Sequence, residues 1–562
     1  MCETHGSPVV RGTMHPRFDQ VVTPEALAFV AVLDGAFAGR RAELLAARRH
    51  RAKEIDGGAN LDYLPETAAI RADPTWKVAA PGPGLADRRC ELIAPASPGT
   101  AAHAMNSGAS TWLADLEDSV APSWRNIIDG QITLYDAIRG DLRYESSDGA
   151  TLTTTGAGPT IIMRPRGWHL CEKHITIDGR PISASLFDFG LYFFHNAKQL
   201  IDNGAGPYFY LPKIESHLEA RLWNDVFVLA QRELGIPQGT IRATVLIETL
   251  PAAFEMDEIL YELRSHCSGL TEGRWDYLFS YVRTFAHRGD EFVLPDRDKL
   301  TMTTPFLRAL TTLLIATCHK RWAYAISGPA AVNPTGHDEA ARHRALAQVT
   351  AEKQREATEG FDGSWVAHPA VVETCLAAYR SVLGDRVDQR SLRQAVALPA
   401  SDLVSLTGVH QTITLGGVRH SVSVSLRYLA AWVGGTGAIT IDNLMEDAAT
   451  VEISRAQLWQ WLHHESQLAE GPRVTRELLD RIIDEEIASL TRGQDDVTAA
   501  RFQAAREVLD FTALSDYLPG FFTNYAYVRY LTEQALRMKP TSPDDLRQSE
   551  RVNAAADAEP AA

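Results

Sequence analysis

The sequence predicts an α/β protein: a (β/α)8 barrel of TIM type, preceded by an N-terminal helical segment and followed by a mainly helical C-terminal domain. Three observations predict it. Short apolar, β-prone runs recur eight times between residues 91 and 367, and helical-looking text separates most of them. Polar and charged residues gather at the C-terminal ends of these runs, where a parallel barrel keeps its chemistry. After about residue 385 the alternation stops, and apolar residues at i, i+4 steps take over. A doubly wound open sheet is the alternative, but no G-x-G-x-x-G supports it.

Taken in order, residues 1–20 read as disordered. Thr23 then Pro24 give an N-cap and first-turn signal. Leu27, Val30 and Phe37 continue a helical face, and the Arg-rich run 48–53 reads as a solvated helix surface. Pro-Gly-Pro-Gly at 81–84 marks a boundary, so residues 1–85 form an N-terminal helical clasp. Barrel strands are expected at 91–95, 111–116, 160–164, 208–213, 244–248, 277–281, 322–326 and 364–367, within a domain spanning 86–385. In the C-terminal domain, 386–538, residues 412–414 and 421–426 alternate like a short hairpin, and Gly434-Gly435-Thr436-Gly437 reads as a flexible turn. Helices follow near 451–464, 474–490 and 500–509. Residues 539–562 have the composition of a disordered tail.

A chain of 562 residues exceeds one compact core, so several domains are expected. The net charge of −16 argues against a nucleic-acid partner, which leaves a basic footprint. It does not forbid an anionic small substrate, because local basic residues still converge on a site. Six scattered cysteines with no C-x-x-C pair read as reduced thiols. No apolar run reaches 18 residues, so no membrane span is expected. With no signal-peptide segment and no peroxisomal tripeptide, a cytoplasmic location follows by elimination.

The acids at the run ends suggest metal chemistry. Glu248 closes V-L-I-E, and Asp276 follows Gly-Arg-Trp. Two carboxylates from neighbouring parallel strands, with oxygen chemistry around them, suit Mg2+, which takes one or two protein carboxylates and leaves its other positions to water and substrate. The plain alternative is a pair of salt-bridged rim acids. Glu117 and Asp118 close T-W-L-A-D-L-E-D-S, either as acceptors for metal-bound water or as rim acids. Arg164 closes I-I-M-R, and a permanent positive charge there suits a developing negative charge on oxygen. An Arg pairing with rim carboxylates fits equally, and Arg166 would serve as well. Trp365, in S-W-V-A-H-P, either walls a pocket or fills the core. Asp447 stands before a helical stretch, where Asp is favoured as an N-cap. His169, His266 and His368 have no zinc spacing and read as structural or supporting residues.

The segment R-S-H-C-S-G-L-T-E-G-R-W-D-Y-L-F, residues 264–279, resembles the signature of the malate synthase family, isoform A branch. Ser265 and Thr271 depart from that pattern, at positions given no catalytic role. M-R-P-R-G-W-H and N-L-M-E-D-A-A-T resemble two further family segments, and the likeness extends over roughly residues 20–535. It implies condensation of acetyl-CoA with glyoxylate and hydrolysis of malyl-CoA to malate and CoA. It implies that Asp447 takes the acetyl methyl proton, that Arg164 stabilises the enolate, and that Glu248 and Asp276 hold Mg2+. On the same reading the backbone N–H groups of Gly273, Arg274 and Trp275 hold the glyoxylate carboxylate, and Trp365 walls the acetyl pocket. The resemblance also implies a monomer. A malyl-CoA or citramalyl-CoA lyase on the same barrel is the alternative, and the long helical C-terminal domain separates the two.

Overall fold

A computed structural model describes residues 6–146, 149, 151–154, 158–335, 339–392 and 396–533. The tail expected at 539–562 lies outside these residues. Eight parallel strands close into a barrel in chain order: β1 (Cys90–Pro95), β2 (Thr111–Asp115), β3 (Thr160–Arg164), β4 (Tyr208–Leu211), β5 (Arg242–Ile247), β6 (Cys267–Glu272), β7 (Tyr324–Ala330) and β8 (Gly363–Val366). The last strand pairs with the first, Trp365 opposite Glu91. This is the barrel that the alternation implied. Strand ends lie level where the chemistry gathers: Asp115 is the register partner of Arg164, and Ile247 of Glu272.

One strand lies elsewhere than the sequence suggests. The sixth is Cys267–Glu272, not 277–281, and the latter residues belong to helix Arg274–Thr284. Tyr277, Leu278, Tyr281 and Val282 are apolar at helical spacing and buried, so the β-prone aromatic run is one face of a helix. The true strand, C-S-G-L-T-E, is small and polar and carries little β signal. Its six residues are all buried because both faces of a parallel barrel are covered. Asp276 is therefore a first-turn helix residue beyond the strand.

The N-terminal region is more ordered than expected. Val9–Val10 pairs antiparallel with Thr176 and Ile175, and Phe18 is fully buried. Helix α1 (Pro24–Asp56) starts at Thr23, whose hydroxyl accepts from the Ala26 N–H at 3.1 Å. It packs on helices α2 (Ala184–Asp202) and α3 (His217–Glu233). The run 48–53 is not simply solvated. Arg48 is part-buried against Glu215 and Glu219, and Arg51 reaches Glu215 and Glu255. Long side chains on a helix can bury their stems and still meet carboxylates, which a charge count along the chain does not reveal.

The helix after β6, Arg274–Thr284, is α4. In the helical domain the expected hairpin at 412–426 is instead the start of α5 (Leu415–Val433). Thr414 caps it, accepting from the Gly417 N–H at 2.9 Å. The S-V-S-V-S-L alternation misleads because small Ser421 and Ser425 pack inward beside Val418, Val422 and Leu429. The hairpin lies later, Ile439–Ile441 against Leu444–Glu446. It leads into α6 (Ala448–His463), followed by α7 (Arg476–Leu490) and α8 (Asp496–Ala513). Almost every residue of α6 is buried, since it lies between the barrel and its own domain. Gln457, Gln460 and Trp461 bind the carbonyls of Pro295, Phe292 and Leu294 in the loop after α4. No helix among the described residues is long and apolar enough to cross a membrane.

Candidate active site

The barrel strands deliver their C-terminal ends to a cavity of about 560 Å3, roofed by the helical domain. Glu248 follows β5, and Asp276 enters on the first turn of α4 after β6. Asp118 comes from the loop after β2. One carboxylate oxygen from each of Asp118, Glu248 and Asp276 lies within 4.8 Å of the others. All three side chains are buried and line the cavity. Asp118, read from the sequence as an outer acid, thus stands as close to the cluster as the other two.

Lys213, at the turn after β4, is a strand-end residue to which the sequence assigned no role, and it stands within the acid cluster. Its Nζ lies 2.9 Å from both Asp118 oxygens, 3.2 Å from Glu117 Oε2 and 3.3 Å from Asp276 Oδ1. Its backbone N–H donates to Glu248 Oε1 at 2.7 Å. Burial works against the ammonium charge, but Asp118, Asp276, Glu117 and Glu248 together hold its pKa well above the usual lysine value. The signal for it was present: a lysine ending L-P-K at a strand terminus.

Arg164 is clamped by its register neighbour Asp115 through Nε and Nη2, both at 2.6 Å. Nη1 is left for the cavity, 3.4 Å from Asp118 Oδ2 and 3.7 Å from Glu117 Oε2. Arg166 points elsewhere, paired with Asp188 and Glu172, and does not line the cavity. Of the two arginines, the one that the resemblance singled out, Arg164, is the one that lines the cavity.

The N-terminus of α4 opens on the same cavity. Gly273, Arg274, Trp275 and Asp276 all line it. Gly273 leaves no room for a side chain: a Cβ there would sit 2.7 Å from Glu248 Cβ. No side chain caps this terminus, so its first N–H groups have no capping acceptor, and the positive end of the helix dipole lies at the cavity wall. Trp365 forms the floor, its Nε1 donating to Glu91 and Tyr210.

Asp447 is the helix cap that its sequence position offered, Oδ1 accepting from the Ala449 N–H at 3.1 Å at the start of α6, and it also faces the cavity. Ala448 N–H and Tyr428 OH both donate to the Asp118 carbonyl, so the helical domain is tied directly to the acid-bearing loop. Gly437 packs flat on the Val120–Ala121 backbone, where a Cβ would collide. The Asp447 side chain keeps some exposed surface because it faces the cavity, yet protein surrounds it. Burial, then repulsion from Asp118, pushes its pKa up to about 7, with Arg164 pulling the other way.

A cation fits this donor set. Asp115, Glu117, Asp118, Glu248, Asp276 and Asp447 crowd around Arg164 and Lys213. Burial and mutual repulsion push Glu117 and Asp276 well above ordinary carboxylate values. Glu117 Oε1 is buried and receives no hydrogen bond, and Asp276 Oδ1, also without one, has only the Lys213 ammonium at 3.3 Å, shared with Asp118 and Glu117. Buried carboxylate oxygens without hydrogen bonds are costly unless a cation meets them. Of the histidines, His368 lines the cavity and caps Ala370, His266 is held by Gln231 and Asn224, and His169 stacks on Phe521.

A closed parallel barrel with a crowded acid cluster at its strand C-termini, completed by a carboxylate from a second domain, defines a (β/α)8-barrel enzyme acting on small molecules. Family models described as malate synthase N-terminal domain, malate synthase TIM barrel domain and malate synthase C-terminal match residues 8–69, 160–406 and 412–530. The chain belongs to the malate synthase family. A malate synthase of Streptomyces clavuligerus is 50% identical over 528 residues, covering 93% of this chain and 98% of the relative. Malate synthase A of Escherichia coli (strain K12) is 42% identical over 510 residues, covering 90% and 95%. A structure of Haloferax volcanii malate synthase with magnesium and glyoxylate is similar at TM-score 0.42 and 13% identity, covering 74% of this chain and 97% of that one. Membership fixes the reaction: acetyl-CoA, glyoxylate and water give malate and CoA.

Proposed function

We propose that this cavity carries out the condensation with Asp447 as base, Arg164 as enolate stabiliser and Mg2+ on Glu248 and Asp276. The observation that carries the reading is Asp447: a carboxylate from the helical domain lines the cavity that holds the barrel's acid cluster, and its pKa is raised to about 7. A fully hydrated aspartate titrates near pH ~3.9 and is a poor base. Near 7 it is matched to proton abstraction at neutral pH.

The Ala449 N–H holds Oδ1, so Oδ2 is the atom that takes the methyl proton of acetyl-CoA. Arg164 Nη1 meets the enolate oxygen as charge develops, while Asp115 fixes the guanidinium through its other two nitrogens. The N-terminus of α4, at Gly273, Arg274 and Trp275, receives the glyoxylate carboxylate. Trp365 walls the acetyl methyl group. Glu248 and Asp276 would hold Mg2+, with Asp118 close enough to join them and Glu117 accepting from metal-bound water. When bound, the ion supplies a Lewis acid that polarises the glyoxylate aldehyde. Closure of the helical domain over the cavity excludes water from the enolate.

The test is Asp447→Asn. It is expected to keep Mg2+ and glyoxylate binding, read by calorimetry, and to lose CoA release. Wild-type CoA release should require acetyl-CoA and glyoxylate together, which a malyl-CoA lyase would not show. Turnover surviving in the variant removes Asp447 as the base.

A further inference from the structure

We propose that α1 shapes the divalent-ion site from outside the cavity: Arg48 is a positioning residue for Glu248, acting through the Lys213 turn. The inference rests on the Mg2+ reading above. No residue of α1 lines the cavity. Yet Arg48 sends its whole guanidinium into the loop that supports the acid cluster. Nη2 donates to the Lys213 carbonyl at 2.8 Å. Nε donates to Glu219 Oε1 at 2.6 Å, Nη2 to Glu219 Oε2 at 2.5 Å, and Nη1 to Glu215 Oε1 at 3.2 Å.

What Arg48 holds is an unusual conformation. Lys213 has φ 52°, in the left-handed region that a side-chain-bearing residue rarely adopts. Such a conformation persists only when its surroundings over-determine it. Here they do. Thr249 Oγ1 donates to the Ile214 carbonyl at 2.6 Å, Arg51 donates to the Glu215 carbonyl at 3.1 Å, and Arg283 pairs with the Glu215 carboxylate. Glu219 in turn accepts from the Glu215 N–H at 3.0 Å. Burial opposes the Glu215 charge, but Arg48, Arg283 and Arg51 hold its pKa at about 2, so the clamp stays charged at any working pH.

The consequence reaches the site through one residue. In this turn the Lys213 N–H aims at Glu248 Oε1, and its Nζ aims at Asp118 and Glu117. Releasing the Lys213 carbonyl lets the turn relax, and Glu248 then loses the donor that fixes its carboxylate. Arginine suits the task because its rigid fork spans a carbonyl and two carboxylates at once. Partners that orient metal ligands from behind typically change metal affinity about 10- to 100-fold when removed.

Mg2+ titration calorimetry on the full chain tests this, with Mg2+ as the probe. Arg48→Met and Glu219→Gln are expected to weaken Mg2+ binding about tenfold. Turnover should return near the wild-type value at saturating Mg2+, so the defect appears in the Mg2+ requirement and not in kcat. Arg40→Ala, on the same helix as Arg48, removes a half-exposed ion pair with Asp225 of α3 and should leave Mg2+ affinity unchanged. Should Arg48→Met fail to fold, Glu219→Gln decides alone. Both clamp variants binding Mg2+ like the wild type, while Glu248→Gln does not, would overturn the proposal. Glu248→Gln binding like the wild type would instead remove the metal reading itself, and this inference with it.

Discussion

Two of the buried charge clusters in the barrel differ in a telling way. Inside the barrel, Arg88 donates to Glu91, Thr244, Ser268 and Tyr210. Tyr210 and Trp365 complete Glu91. Each guanidinium nitrogen has a partner, and one cation meets one anion. At the mouth, several carboxylates share Arg164 and Lys213, and two buried oxygens receive no hydrogen bond. A satisfied network makes a rigid floor under Trp365. An unsatisfied one stores repulsion that a cation or a proton relieves, and that is where pKa values move.

The largest expected effect falls on the mouth. Asp447→Asn should lower turnover by about 10²–10⁴, the range for losing a general base. CoA-release kinetics at saturating substrates read it. Next comes the interior. Glu91→Ala leaves Arg88 charged, buried and unpaired, and should cost about 3–5 kcal/mol of stability in denaturant unfolding. If it costs no more than an exposed ion pair, the contrast between the two clusters is lost.

Mg2+ sharpens the same contrast. At about 100 times its Kd it should stabilise the wild type by about 2.7 kcal/mol, and Asp276→Asn should lose that gain. The metal-free variant should itself melt higher than the metal-free wild type, because one repelling carboxylate is gone. Thermal melts with and without Mg2+ check both statements.

The pH dependence is the smallest effect. Asp447 works as a base only when deprotonated, so kcat/KM should rise about tenfold per pH unit below about 7 and level off above. The stability sign is opposite. Asp447, Glu117 and Asp276 have folded-state pKa values above their unfolded ones. The folded chain therefore keeps protons that the unfolded chain releases. Metal-free stability should fall as pH rises from about 5 to about 7. A metal-free melting temperature that rises over this window would contradict the repulsion picture.

The sequence showed the barrel through repeated strand-like runs, because burial on both faces leaves an apolar mark in β5 and β3. It missed β6, whose small residues are buried by their neighbours and carry no mark of their own. It misread α5, where serines on an inward face imitate a strand. Glu248, Asp276 and Arg164 were legible as polar residues ending apolar runs, and Asp447 through its resemblance to a family segment. Lys213 was legible only as a polar residue ending a run, and the part played by Arg48 was not legible at all, since their partners lie far away in the chain.

The amino-acid order by itself determined the architecture, the family and the residues with the right chemistry, because these follow from local periodicity and motif text. Only the tertiary structure decided that Asp188 and Glu172 hold Arg166 away from the cavity, that Asp118 joins the acids, and that an N-terminal arginine braces the turn beneath them. Charge, burial and repulsion depend on distances between segments hundreds of residues apart, and those distances exist only once the barrel and the helical domain have packed together.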